Sequence, residues 1–403
     1  MRGSGGGRVR NVTTTGDDRG REWEVAGGRH VLIAADKFKG SLSAAQVADH
    51  VARGLRRVVP GLRTEALPVA DGGEGTVDAA VAAGFERREA EVTGPLGTPV
   101  RAAYALRGTD AVLEMAQASG LRHLAEGVFA PLEATTRGTG ELLRAALDAG
   151  ARRIVLGVGG SATTDGGAGM LTALGARLLD ADGAPVGPGG GPLAGLASAD
   201  LSALDGRLAD AEVVLAGDVD NPLLGPAGAA AVYGPQKGAS PGEVEALEAA
   251  LGRWVRVLAE ALGERAAAAA RAPGAGAAGG VGYAALVGLG AVFRPGIEVL
   301  METLRFAEAL DRADFVITGE GSLDEQTLHG KAPAGVARAA RGRGLDVVAV
   351  CGRLLLDPRA LAGAGVLRAY ALTDLEPDPA VCMAQAGPLL ERTAERVARD
   401  WLV

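Results

Sequence analysis

One pattern that could do chemistry occurs twice in this chain, as Asp71-Gly-Gly-Glu-Gly-Thr76 and as Asp165-Gly-Gly-Ala-Gly-Met170. Each sets a carboxylate beside glycines at the expected start of a helix, where bare backbone N–H groups and the helix dipole favour an anion. A tight turn leading into a capped helix uses the same residue types, so the pattern alone leaves both readings open. The second copy belongs to a longer Gly, Ser and Thr-rich loop, Gly157 to Gly167, which follows an apolar run and could wrap phosphate oxygens. Near the start, Asp36-Lys-Phe-Lys-Gly-Ser41 also follows an apolar run. Lys37 and Lys39 there suit a carboxylate or phosphate, or serve as solvated loop charges, while Ser41 or Ser43 suits the cap of the next helix.

Two further turns are acidic: Gly217-Asp-Val-Asp-Asn-Pro222 and Thr318-Gly-Glu-Gly-Ser-Leu-Asp-Glu-Gln-Thr327. Phosphoryl transfer from ATP uses Mg²⁺ held by one or two carboxylates together with phosphate oxygens and water. Asp218, Glu320 and Asp324 are the candidates for that role, each also readable as a turn-former. Lys331 lies beyond the second acidic turn and is placed to reach a nucleotide phosphate or to start a helix on the surface.

Several other chemistries find less support. Gly157, Gly159 and Ala162 fit a dinucleotide fingerprint, with Asp180 near the spacing of a ribose-binding carboxylate, so an NAD-dependent oxidoreductase of a small hydroxy acid is the rival reading. Such a fingerprint enters its helix at once, whereas Thr163 to Gly167 prolong this loop. A second match, Gly274 to Gly279, follows an Ala-rich stretch instead of a strand. There is no G-x-x-x-x-G-K-[ST] loop and no G-x-S-x-G elbow. His30, His50, His123 and His329 lack metal spacing, and Cys351 and Cys382 form neither a zinc motif nor a disulfide framework. Few cysteines point to a reducing compartment, the cytoplasm. The net charge of −8 argues against nucleic acid as a partner, and the lack of an apolar run of about 18 residues argues against a membrane span.

These groups need elements to hold them. Short Val, Ile and Leu-rich runs at Val31–Ala35, Ala111–Met115, Ile154–Val158, Val213–Ala216, Phe315–Thr318 and Val347–Val350 end abruptly in Gly, Asp or Glu, as buried parallel strands do when they feed functional turns. Helix-like stretches at 44–59, 76–83, 140–149, 169–179, 243–262 and 332–341 alternate with them. The alternation predicts an α/β fold with a doubly wound parallel sheet. Residues 91–107 break the rhythm and read as a hairpin. A loop-like stretch at 183–208 and an Ala run with a Gly-rich end at 266–280 mark connections, and a second domain inserted over 91–285 is expected, between 30–90 and 286–403. Residues 1–29, rich in Gly and Arg without an apolar core, read as a disordered leader.

Eight ordered segments carry a resemblance to a known family: 36–44, 68–76, 135–143, 157–170, 217–225, 234–239, 273–280 and 317–327. Together they resemble the bacterial type 1 glycerate kinases. The departures are Thr164, where Asn is common, and Ala35, where Pro is common. The resemblance implies a flavodoxin-like α/β domain with a second α/β domain inserted in it, and ATP-dependent phosphorylation of D-glycerate to 2- or 3-phosphoglycerate in the cleft between them. It further implies substrate contacts at Asp36, Lys37, Gly72, Gly73, Glu74 and Ser161, and nucleotide contacts at Gly159, Gly160, Thr163, Gly166, Gly167 and Lys331. Chemistry would fall to Asp71, Asp165 and Lys39, with Mg²⁺ on a carboxylate among Asp165, Asp218 and Glu320. A homo-oligomer is left open.

Overall fold

The central strands are apolar on both faces, so each must be covered twice. The computed structural model describes residues 29–328 and 331–403. The leader expected over 1–29 thus lies outside the described residues save for Arg29, as do His329 and Gly330. In chain order the strands are β1 (His30–Ala35), β2 (Arg63–Ala66), β3 (Glu86–Thr93), β4 (Pro99–Arg107), β5 (Asp110–Glu114), β6 (Arg153–Gly157), β7 (Arg177–Asp180), β8 (Leu196–Asp200), β9 (Glu212–Ala216), β10 (Val292–Arg294), β11 (Phe315–Leu323), β12 (Asp346–Leu354) and β13 (Arg368–Ala371).

The first sheet has the order β13-β12-β11-β1-β2 and is parallel throughout. Counted within the sheet this is 2-1-3-4-5, the flavodoxin-like doubly wound order, whose switch point lies between β1 and β11. Ile33 pairs with Ile317, and Ile317 with Val348. Alternate residues enter different cores because successive side chains leave opposite faces. Val31, Ile33, Ile317, Val348 and Val350 pack under helices 44–58 and 386–401. Leu32, Ala34, Val316 and Ala349 join a core built with helices 296–303 and 332–341.

The second sheet, β10-β9-β6-β5-β4-β3, is parallel from β10 to β5 and closes with the antiparallel β4 and β3. One face packs on helices 137–148, 241–262 and 277–288. The other contributes Ala105, Val112, Val155 and Val214 to the core that holds Leu32 and Val316 of the first sheet. A layer including helices 76–82 and 296–303 is therefore shared, and it fixes the carboxyl edges of the two sheets beside one another. The expected limits of the inserted unit, 91 and 285, fall inside β3 and inside helix 277–288. We propose limits nearer 86 and 294, where the second sheet's strands begin and end.

All six apolar runs are strands and the 91–107 segment is a hairpin. Helix 44–58 starts at Ser43, whose hydroxyl caps Gln46 N–H in a reciprocal capping box, which settles the choice between Ser41 and Ser43. The helix expected over 169–179 is a correction: it stops at Ala173, and β7 follows. Gly175 causes the stop, with φ of +117° and a position where a Cβ would lie 2.1 Å from the Ala203 carbonyl oxygen. The stretch 183–208, expected as loop, carries β8, which pairs with β7 in a small separate sheet. No helix among the described residues is long and apolar enough to cross a membrane.

Candidate active site

The carboxyl ends of β1, β11 and β12 face those of β6 and β9 across a cleft of about 730 Å³. Open α/β sheets bind ligands beyond these ends, at the switch point, because the chain must splay there into opposite crossovers. Asp36, Lys37 and Lys39 come from the loop after β1, Glu320 from β11, Gly159 and Gly160 from the loop after β6, and Asp218 from the turn after β9. Lys331, the residue before helix 332–341, lines the same space.

The turn Asp71–Glu74 is threaded between the two sheets. Leu67 and Val69 continue beside β1, donating their N–H groups to Ile33 and Ala35 carbonyls at 3.0 and 3.3 Å, and deliver Asp71 to the cleft. Gly72 then passes so close to β9 that a Cβ would lie 2.4 Å from the Ala216 carbonyl oxygen, and its φ is +90°. No other residue type fits both the space and the backbone conformation. The Gly72 carbonyl accepts the Gly159 N–H at 3.3 Å, tying the turn to the loop after β6. Asp71 Oδ1 accepts the Gly73 N–H at 3.1 Å. Lys37 Nζ donates to the Glu74 carbonyl and lies 3.7 Å from the Glu74 carboxylate.

Four carboxylates thus converge from separate elements. Burial, joined by repulsion from Asp71 and Glu320, pushes Asp36 up to about 7 against the pull of the Lys37 N–H, 2.6 Å away, and its ammonium. Burial and Asp71 likewise push Asp218 up to about 7, opposed by the Gly296 N–H at 3.2 Å and by Lys331. Glu320 is raised by burial, against a hydrogen bond from the Thr327 hydroxyl. Asp324 lines the cleft, but its carboxylate accepts the Gln326 N–H at 3.0 Å and so shapes its own turn.

Five of the expected site residues do not line this cleft: Ser161, Thr163, Asp165, Gly166 and Gly167. The loop turns inward after Gly160. Ser161 forms a buried bridge with Gly120. Asp165 is fully buried, and its carboxylate accepts the Thr136 N–H and hydroxyl, both at 2.8 Å, the Gly167 N–H at 3.0 Å and the Gly169 N–H at 3.2 Å. Burial raises its pKa and these donors oppose the rise. The carboxylate joins the starts of helices 137–148 and 168–173. Trp254 Nε1 donates to the Gly166 carbonyl at 3.0 Å, and Gly166 N–H donates to Gly279 at 3.0 Å. The second fingerprint match, 274–279, is therefore packing behind the loop.

The dinucleotide reading finds no support. After Gly157 the chain reaches no helix until Ala168, and Asp180 sits in the β7–β8 sheet, where its carboxylate accepts the Asp182 and Ala184 N–H groups at 3.0 and 2.8 Å. Sequence reasoning missed several neighbours of the site, among them Lys237 and Arg353. Lys237, only 2% exposed, donates from Nζ to the Thr163 carbonyl at 2.6 Å and is pushed down to about 7 by burial. Arg353 follows Gly352 at the end of β12 and lines the cleft. A glycine and a cation one residue beyond the apolar run 347–350 were the available signal for it.

A sequence model of the glycerate kinase family matches residues 31–402. The chain is 46% identical over 377 residues to a glycerate kinase of Bacillus subtilis, covering 91% of this chain and 96% of that one. It is 46% identical over 332 residues to a glycerate 2-kinase of Escherichia coli, covering 81% and 86%. A crystal structure of a putative glycerate kinase 2 from Salmonella typhimurium superposes with a TM-score of 0.81 at 44% identity, covering 93% of this chain and 98% of that one. Fold, cleft and relatives agree, and the chain belongs to the glycerate kinase family.

Proposed function

We propose that the cleft transfers the γ-phosphoryl group of ATP in line to a hydroxyl of D-glycerate. The observation that carries this reading is the convergence of Asp36, Asp71, Asp218 and Glu320, with Lys37, Lys39 and Lys331 among them, at strand ends of both sheets. Phosphoryl transfer asks mainly for positioning and charge compensation, and both substrates are anions.

Asp71 is assigned to the acceptor hydroxyl, as orienter or base. Its bond to the Gly73 N–H occupies one of its two oxygens, and the glycine turn holds it rigidly. Lys39 and Lys331 are assigned to the anionic groups of the two substrates, while Lys37 steadies the turn through the Glu74 carbonyl. Asp165 is assigned a supporting role, holding from behind the loop that presents Gly159 and Gly160. Mg²⁺ fits the site: burial, joined by repulsion from Asp71, raises the pKa values of Asp36, Asp218 and Glu320, and a divalent cation favours their ionised forms. Among the described residues no three His, Cys, Asp or Glu side chains cluster closely enough to hold an ion by themselves. Asp218 and Glu320 would hold it, and when bound it neutralises developing phosphate charge. Two buried free thiols, Cys351 and Cys382, support the cytoplasm as the compartment.

The test is ADP release from purified protein with ATP, Mg²⁺ and D-glycerate, each omitted in turn, with the product identified by NMR. Release that needs all three is expected. The relative named glycerate 2-kinase makes 2-phosphoglycerate the expected product. No release from folded protein would remove the glycerate assignment.

A further inference from the structure

The cleft has two chemically different ends. Its inner end holds the carboxylates and glycine turns described above. Its outer end, beyond β11, β12 and β13, is walled by Phe38, Leu372, Pro379, Cys382, Met383 and Ala386, none of them charged. Phe38, Leu372, Cys382 and Ala386 are at most 5% exposed, so this wall is anchored in the core of the first sheet. Met383 behaves differently: it is 53% exposed on helix 379–384, and its Cε lies 3.0 Å from where a Cβ on Gly40 would sit. The loop after β1 and this helix therefore meet at Gly40 and Met383, which closes one side of the outer end. Gly321 and Gly352 lie side by side at the strand ends, with a Cβ on Gly352 falling 2.6 Å from the Gly321 carbonyl oxygen, so no side chain rises between the walls at that point.

We propose that this outer end is the adenine slot of the phosphoryl donor. The inference rests on ATP being that donor. An anchored apolar wall, a half-exposed thioether and a bare floor suit a planar ring with apolar faces, because stacking there buries Met383 without desolvating a charge. A three-carbon acid offers nothing to such a surface. The cavity volume, about 730 Å³, lies in the range of pockets for ligands far larger than glycerate. Thr373 and Arg353 flank the slot and supply the polar contacts a purine edge and its ribose phosphate require. With adenine outside, the phosphates run inward past Lys39 and Lys331 to the carboxylates, and glycerate occupies the innermost space between Gly72–Glu74 and Gly159–Gly160.

The proposal is tested by photolabelling the full chain with 8-azido-ATP and Mg²⁺, followed by peptide mapping. Label within residues 372–386 that ATP suppresses and glycerate does not is expected. Label at 158–160 or 217–225, suppressed by ATP, would overturn the assignment. Met383→Glu provides an independent readout by placing a charge on the wall. We expect KM for ATP to rise about tenfold or more with KM for glycerate unchanged, a loss of about 1.4 kcal/mol of nucleotide binding. A rise confined to KM for glycerate would reverse the orientation and refute the slot. Failure of the functional reading looks different: wild-type protein that takes the label at 372–386 but releases no ADP with glycerate keeps the slot and loses the acceptor.

Discussion

The two Asp-Gly-Gly-x-Gly turns begin alike and end in opposite environments. Both place glycines in the left-handed region, Gly72 and Gly75 in one, Gly166 and Gly167 in the other. Both precede short helices, and in both a lysine donates to a nearby backbone carbonyl: Lys37 to Glu74, Lys237 to Thr163. Yet Asp71 opens on the cleft with one hydrogen bond to its own turn, whereas Asp165 is fully buried and accepts four donors at 3.2 Å or less from two helix starts. A carboxylate whose lone pairs are committed to buried donors cannot take up a ligand without abandoning them, at about 1–3 kcal/mol per stranded group. The shared pattern therefore specifies only how the turn opens, with the Asp carboxylate accepting the N–H two residues on, and what lies over that opening decides whether it binds or braces.

The sharpest way to break the comparison is to neutralise each carboxylate. Asp71→Asn is expected to lower kcat by about two to four orders of magnitude, the range for loss of a positioned base, while the thermal midpoint stays put. Steady-state ADP release and thermal unfolding on one preparation check both halves. Asp165→Ala is expected to invert this result. Three backbone N–H groups and the Thr136 hydroxyl lose a buried acceptor, and stability falls by about 3 to 5 kcal/mol, read from urea unfolding. Full stability with selective loss of kcat would return Asp165 to the chemistry.

Sequence could not make this distinction because burial is not local. The central strands were legible, since Val31–Ala35 or Val347–Val350 can only be covered on both faces. The hairpin over 91–107 was legible from its Gly-Pro turn. Edge elements were not: β2, Arg-Thr-Glu-Ala, lies at the rim of its sheet and carries no apolar run to betray it. The end of helix 168–173 depends on Ala203, a residue far along the chain. Of the candidate cleft, the lining residues on strand-end loops were legible because such loops carry their own composition. Arg353, Met383 and Lys237 were missed because their roles arise from placement against distant segments. Trp254 explains why Gly166 looked like a phosphate-binding glycine: its indole approaches that backbone where an anion was expected, with the ring 2.6 Å from an added Cβ.

The two lysines sharpen the comparison further. Lys237 has a folded pKa of about 7, below the ordinary value of 10.5, so between these pH values the unfolded chain binds the extra proton. Stability then rises with pH across that window, by up to about 1.4 kcal/mol per unit, and is flat below it. Lys237→Met is expected to abolish the slope between pH 7 and 9, measured by urea unfolding at several pH values. A slope that survives the substitution would assign the titration to another group. Lys37→Met, beside the open turn, is expected to leave the slope intact and to raise KM instead.

The smallest expected effect concerns the carboxylates grouped around Asp71. Asp36 and Asp218 have folded pKa values of about 7, above the ordinary 3.8, so between those values the folded protein holds protons that the unfolded chain has lost. Their contribution to stability is complete below about 4 and is lost as pH rises through 7. Ligands that need both carboxylates ionised must displace those protons at low pH and need not at high pH. The rise in thermal midpoint produced by Mg²⁺ and ATP is therefore expected to be larger at pH 8 than at pH 5.5, and kcat/KM for ATP should climb along an acid limb near 7. Asp218→Asn removes one of the two protons and should flatten that limb, whereas Asp165→Asn, acting on a carboxylate that meets no ligand, should leave its midpoint where it was. An acid limb moved by Asp165→Asn and untouched by Asp218→Asn would mean that the two turns had been assigned the wrong way round.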